Sequence, residues 1–294
     1  MLRDTGLRCA PECAAHGGRL ARLPVAHGTL DRMHVVALTR WGAPLETELP
    51  TLASWLGVGA YDLRLSAAAG LPLLLKWSSD VAAAAELTER LRARNHGVVH
   101  SDTESAGEKV IAREFSFGPA GVLGLDSNGR PLELAYADIS GLIRVLSVES
   151  AENTIITREA KLNVGMAVMT GGLKVSKTVE RTTRNVSEER EQQLLVWKRG
   201  LFAPWVFGES SLRYQGLGAK LKPTSIQNFQ VLIEELRARA PQALYDQRLL
   251  TQKRKVTIAS AQGPANARSV KSSNTGENDL AAHLLVLAFE QGQL

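Results

Sequence analysis

The apolar rhythm of this chain changes once, across the polar stretch Ser101-Asp-Thr-Glu-Ser-Ala-Gly-Glu108, and that change constrains the fold more than any other feature. Before it, apolar residues recur at helical spacing between short apolar runs. After it, they alternate or form short runs bounded by turn residues, the mark of strands. A small, polar, aperiodic stretch between two such rhythms is a domain boundary. The 294 residues suffice for about two domains at roughly 150 residues each. With 44% hydrophobic and 22% charged residues, the chain has a globular composition, which excludes collagen-like, mucin-like and wholly disordered classes. The expected class is α+β: a small α/β module at 33–102, a linker at 103–110 and a β-rich domain at 111–250. A flexible basic linker at 251–277 and a helix at 278–294 complete the expected layout.

In the first module, Val35 to Trp41 reads as a strand. Leu45, Leu49, Leu52, Ala53 and Leu56 then follow helical spacing up to Gly57, with Pro50 starting or kinking that helix. A second helix is expected from Tyr61 to Ala69, and an edge strand from Leu71 to Trp77, where Pro72 withholds a donor. Asp80 caps a third helix with Val81, Ala84, Leu87 and Leu91 on one face, closed by Gly97 before the strand Val98-Val-His100. The order β-α-α-β-α-β and three of its stretches resemble the C-terminal domain of the ribosomal stalk protein of the large subunit. These are His34-Val-Val-Ala-Leu-Thr39, Trp55-Leu-Gly-Val-Gly59 and Leu71-Pro-Leu-Leu-Leu-Lys76, joined by the stretch from Asp80 through Asn95-His-Gly97 to Val99. The resemblance implies a small sheet covered by helices, and in that family a lysine-bearing helical surface recruits translation GTPases. Here the matching stretch Gly59-Ala-Tyr-Asp-Leu-Arg-Leu65 has Arg64 as its one base. The module 33–105 carries six bases and eight acids, which argues against RNA contact there.

In the second domain, strands are expected at Ile111–Phe117, Gly121–Leu125, Leu132–Tyr136, Leu142–Val148, Gln193–Trp197 and Trp205–Phe207, with Asn128-Gly129 as a tight turn. Val164–Met169 and Leu173–Val179 flank Thr170-Gly-Gly172, the expected tip of a long hairpin. Thr224 and Gln227 form a capping box for a helix whose stripe is Ile226, Phe229, Leu232, Ile233 and Leu236, ended by Pro241. The segment Gly129 to Ile139 and the helix from Ser225 to Arg239 resemble a pleckstrin-homology-like domain. That likeness implies a bent antiparallel barrel plugged by one helix.

Candidate chemistry is sparse. The hairpin carries Arg158, Lys161, Lys174, Lys177, Arg181 and Arg184 against Glu159 and Glu180. Such an arm suits an acidic protein partner, anionic lipid head groups or nucleic acid, although residues 155–190 hold no aromatic side chain to stack bases. Trp205, within an aromatic stretch interleaved with Lys198, Arg199 and Arg213, is a second candidate contact. Leu284 and Leu287 form an apolar face on the last helix, suited to docking on another surface. Gly165–Gly172 and Gly216–Lys222 lack the Gly-x-x-x-x-Gly-Lys-Ser/Thr order of a phosphate loop. The six histidines, 16, 27, 34, 96, 100 and 283, accompany no catalytic motif. Cys9, Cys13 and His16 have loose zinc-ligand spacing but no fourth ligand nearby.

No catalytic, cofactor or metal residues are therefore assigned. Two cysteines supply no disulfide framework, which fits a reducing cytoplasm. Residues 1–32 show no apolar pattern and are expected to be a disordered leader or to precede the true start. The leading expectation is a non-enzymatic cytoplasmic interaction or scaffold protein that meets a protein partner or its own copy. An adaptor binding anionic lipid or nucleic acid through 158–184 is the alternative, and an enzyme with an unmarked site is a third.

Overall fold

A run of four consecutive buried residues, Val35-Val-Ala-Leu38, explains the architecture of the first part of the molecule. Continuous apolar runs suit strands covered on both faces, and β1 (His34–Arg40) is such a strand. It is the centre of an antiparallel sheet between β2 (Leu73–Ser78) and β3 (Gly97–Asp102). Val36 and Leu38 point into a core with Leu49, Leu52, Leu63, Leu87 and Leu91. These come from α1 (Leu45–Leu56), α2 (Ala60–Ala67) and α3 (Val81–Arg92). Val35 and Ala37 face the other way, onto Leu284 and Ala288. The order is thus β-α-α-β-α-β, with β2 at one edge. In the computed structural model, residues 33–102, 109–162, 176–200, 203–251, 257–262 and 267–294 are described, with backbone alone at 156–162, 176–181, 257–262 and 267–269.

Local chemistry sets the helix ends, with some differences from expectation. Asp80 Oδ1 accepts from the N–H groups of Ala82 and Ala83 at 2.9 and 3.1 Å, and Gly57 closes α1 at φ 67°. Pro50 lies inside α1, which starts at Leu45. The left-handed residue after α3 is Asn95, at φ 63°, rather than Gly97. Gly97 has a different reason to lack a side chain: a Cβ there would sit 2.2 Å from the Gln293 carbonyl oxygen.

Among the described residues the second sheet has nine strands. The new ones are β4 (Val110–Phe117), β5 (Gly121–Asp126), β6 (Pro131–Ala135), β7 (Ile139–Leu162), β8 (Ser176–Lys198) and β9 (Trp205–Gly208). They are followed by β10 (Leu244–Asp246), β11 (Thr257–Gln262) and β12 (Ala267–Ser273). The order is β11-β12-β7-β8-β9-β4-β5-β6, with β10 parallel to β7. The sheet curls as a half-barrel around α4 (Ser225–Arg239), whose Phe229, Leu232, Ile233 and Leu236 pack on Phe115, Leu134, Ile139, Leu142, Leu194 and Phe207. Thr224 caps α4 by accepting from the Gln227 N–H at 3.3 Å.

The last helix, α5 (Thr275–Glu290), begins before the expected Asn278. Asn274 bonds the β7 backbone in both directions, accepting from Val148 N–H at 2.9 Å and donating to Leu146 O at 3.0 Å. Asn278 donates to the same carbonyl at 3.0 Å. One side of α5, through Ala281, Ala282, Leu285 and Val286, covers Ile143, Val145, Leu195, Trp197 and Val206 on the outer face of the large sheet. Gly141 permits that approach, because a Cβ there would lie 2.5 Å from a Val286 methyl. The other side, through Leu284 and Ala288, covers the small sheet. The layers therefore run α4, large sheet, α5, small sheet, α1–α3, within the unit Arg32–Leu294.

Two expectations change here. The segment 251–277, read as a linker, contains β11 and β12, which extend the large sheet beside β7. Leu284 is 0% exposed and Leu287 is half-buried against the same cluster. The docking of this helix is within the chain, so Leu284 presents no surface to a partner.

Candidate functional site

The α2 region leaves apolar residues in water. Tyr61 is 71% and Leu65 56% exposed, one turn apart on one face of α2, and Val58, 45% exposed, lies in the turn just before the helix. Only Leu63 of α2 is buried, so the helix spends its opposite face on packing and keeps this one open. Beside this open face, Glu46, Leu49, Pro50, Ala60, Tyr61 and Arg64 line a groove of about 290 Å³. An ion pair between Arg64 and Glu46 bridges α2 to α1 across it. Exposed apolar residues grouped in this way are what a protein contact uses, whereas single ones need no explanation. The sequence carried this signal in the one-turn spacing of 61 and 65, but burial of the opposite face was needed to tell open from covered.

Behind this region lies a buried polar clamp. Glu48, 3% exposed, accepts from Arg94 Nε and Nη2 at 2.8 and 2.9 Å and pairs with His96 Nε2 at 3.2 Å. His96 Nδ1 accepts from the Gly42 N–H at 2.9 Å, which leaves Nε2 as the protonated nitrogen facing Glu48. The bidentate Arg94 bond is the chief reason the Glu48 carboxyl is held below its ordinary range, against the opposing effect of burial. Both carboxylate oxygens of Glu48 are engaged, so the clamp joins α1 to the α3–β3 turn. His96, in the turn after α3, thus belongs to this clamp.

A Ser–His pair joins β3 to α5: Ser101 Oγ lies 2.9 Å from His283 Nε2. Burial pushes the His283 imidazole down to about 4, so it is neutral at pH 7 and within reach of a hydroxyl proton. Ser101 is 7% exposed, and the Trp197 ring lies 5.5 Å from the imidazole. The pair is a part-buried bond between β3 and α5. Lys109 and Asp279 form an ion pair at the same face of α5. Among the described residues, no three His, Cys, Asp or Glu side chains converge as a metal site.

The basic hairpin is divided by its register. β7 and β8 pair without a break from Gly141↔Trp197 to Leu162↔Ser176, and β7 alone spans about 80 Å. Arg158 stands opposite Glu180 and Arg184 opposite Thr154, on one face; Lys161, Lys177 and Arg181 occupy positions of the other face. Arg184 is ion-paired to Glu152 at 2.7 Å. The bases therefore form no single basic face. Lys174 lies outside the described residues, as do Cys9, Cys13 and His16. Trp205 sits on an inner strand, half-buried against the α4 core with its ring 6.4 Å from Phe207. The neighbouring aromatics divide between cores: Phe207 and Tyr214 face α4, and Trp197 faces α5.

A scan against protein-family models, a search of curated proteins and a search of solved structures each find no match to this chain. No helix among the described residues is long and apolar enough to cross a membrane.

Proposed function

We propose that this chain is a cytoplasmic protein-interaction or scaffold protein whose first module, of ribosomal-stalk C-terminal type, docks a protein partner through α2. The observation that carries it is the exposed apolar group of Tyr61 and Leu65 on α2, with Val58 just before the helix, beside the α1–α2 groove. Aromatic and aliphatic anchors next to a concavity, with an arginine and a glutamate at the rim, form the core-and-rim pattern of protein interfaces. The second module, of pleckstrin-homology-like type, supplies the rigid body on which that surface is carried. The buried Ser101–His283 pair gives the enzymatic alternative little support, and a base set divided between two faces gives the anionic-ligand alternative less than its charge count suggests.

The test compares proteins retained from the native host by the full-length chain and by Y61E/L65E. The same retained protein should fall at least roughly tenfold in the variant, with an unchanged melting temperature because both side chains are exposed. Equal retention by a folded variant would overturn the proposal.

A further inference from the structure

The long ribbon of β7 and β8 carries charges in a regular order. Near its base, Glu149 stands directly opposite Glu189; toward its far end, Lys161 stands directly opposite Lys177. Like charges directly opposite one another on a two-stranded ribbon destabilise it, and here there are two such pairs of opposite sign. All four positions share the face that nearer the body is covered by α5, since odd-numbered β7 residues from Ile143 onward lie on that side. Glu149 and Glu189 are exposed, and neither forms an ion pair among the described residues. Each pair is 12 residues from the other on both strands, which is about 40 Å.

The midpoint of this pattern is the pair Ile155↔Thr183, and Ile155 is 47% exposed. A two-fold axis through that point, lying across the ribbon, reverses the strand direction and lays the face on a copy of itself. Lys161 and Lys177 of one copy then fall over Glu149 and Glu189 of the other, and the reverse. Ile155 meets Ile155. Glu159 falls over the other copy's Ala151, whose neighbour on β12 is the exposed Lys271, and Arg181 falls over Asn185. The positions between hold small or neutral residues: Ala151, Asn153, Thr157, Asn185 and Ser187. No like charges are superposed anywhere along the span.

We propose that the β7–β8 ribbon is a self-association surface whose occupant is a second copy of this chain, packed antiparallel about the Ile155–Thr183 pair. The contact covers roughly 400 Å² on each copy, below the area of a standard stable interface, so the dimer is weak and sensitive to salt. It uses a different surface from α2, and Y61E/L65E leaves it untouched.

Sedimentation velocity of the full chain tests it, over about 1 to 300 µM and at roughly 20 and 500 mM salt. A monomer–dimer equilibrium is expected at low salt and its loss at high salt. The variants K161E/K177E and E149K/E189K should each self-associate roughly 10- to 100-fold more weakly. An equimolar mixture of the two restores all four complementary pairs and should dimerise at least as well as the unmodified chain. Circular dichroism confirms that both variants are folded. A chain that stays monomeric at low salt, variants that associate like the original, or a mixture no better than its components would overturn the proposal. So would salt-dependent binding of RNA or anionic vesicles without self-association.

Discussion

β1 and the outer half of the β7–β8 ribbon are both antiparallel strands, yet they solve opposite problems. β1 is buried on both faces, by α1–α3 on one side and α5 on the other, and its centre, Val35 to Leu38, is an unbroken apolar run. The ribbon beyond Glu149 is open: every described β8 side chain from Thr182 to Arg190 is exposed, and its sequence is polar and charged. Strand character in the first comes from burial, and in the second from backbone pairing and β-branched residues such as Thr154, Ile155, Thr182 and Thr183. Cores resist change and carry stability, whereas open strands tolerate change and are free to specify partners.

The largest contrast should come from α5. Leu284→Ala opens a cavity between α5 and the small sheet and should cost about 3 to 4 kcal/mol, read from urea unfolding. Next is pH. The His283 imidazole is pushed by burial from an ordinary value near 6.5 to about 4, so the unfolded chain binds the proton first. The stabilisation from keeping it neutral is complete above pH 6.5 and is lost as pH falls toward 4, roughly 3 kcal/mol in all. Asp279, raised by burial against the pull of Lys109, acts in the opposite sense, so the His283 contribution is read as the slope removed by His283→Ala. A slope unchanged by that substitution would place the titration elsewhere. The smallest effect belongs to the ribbon: Val186→Ser, at a side chain 61% exposed, should change stability by less than about 0.5 kcal/mol.

Elements whose signal is local were legible in the sequence. The Asp80 and Thr224 caps, the α4 stripe and the Val35–Leu38 run mark their own elements through caps and apolar period. β11 and β12 were not legible, because Thr257-Ile-Ala-Ser-Ala-Gln262 and Ala267-Arg-Ser-Val-Lys-Ser-Ser273 lack the alternation that a buried face would impose. The partner of β1 on its second face was illegible for another reason: Leu284 lies some 250 residues away in sequence, and no local pattern encodes such a pairing. At the ribbon, the bases were countable but their division between two faces depends on register, which the composition of the hairpin does not contain. On α2, Tyr61 and Leu65 are one turn apart, but only the fold distinguishes their open face from the one holding Leu63.

α5 is a shared core element that serves both sheets at once. Native-state hydrogen exchange followed by mass spectrometry addresses it with Leu284→Ala. If α5 is shared, peptides covering β1, β3 and α5 lose protection together and by the same factor, while the outer ribbon exchanges as before. Loss of protection confined to α5, with β1 and β3 unchanged, would contradict it.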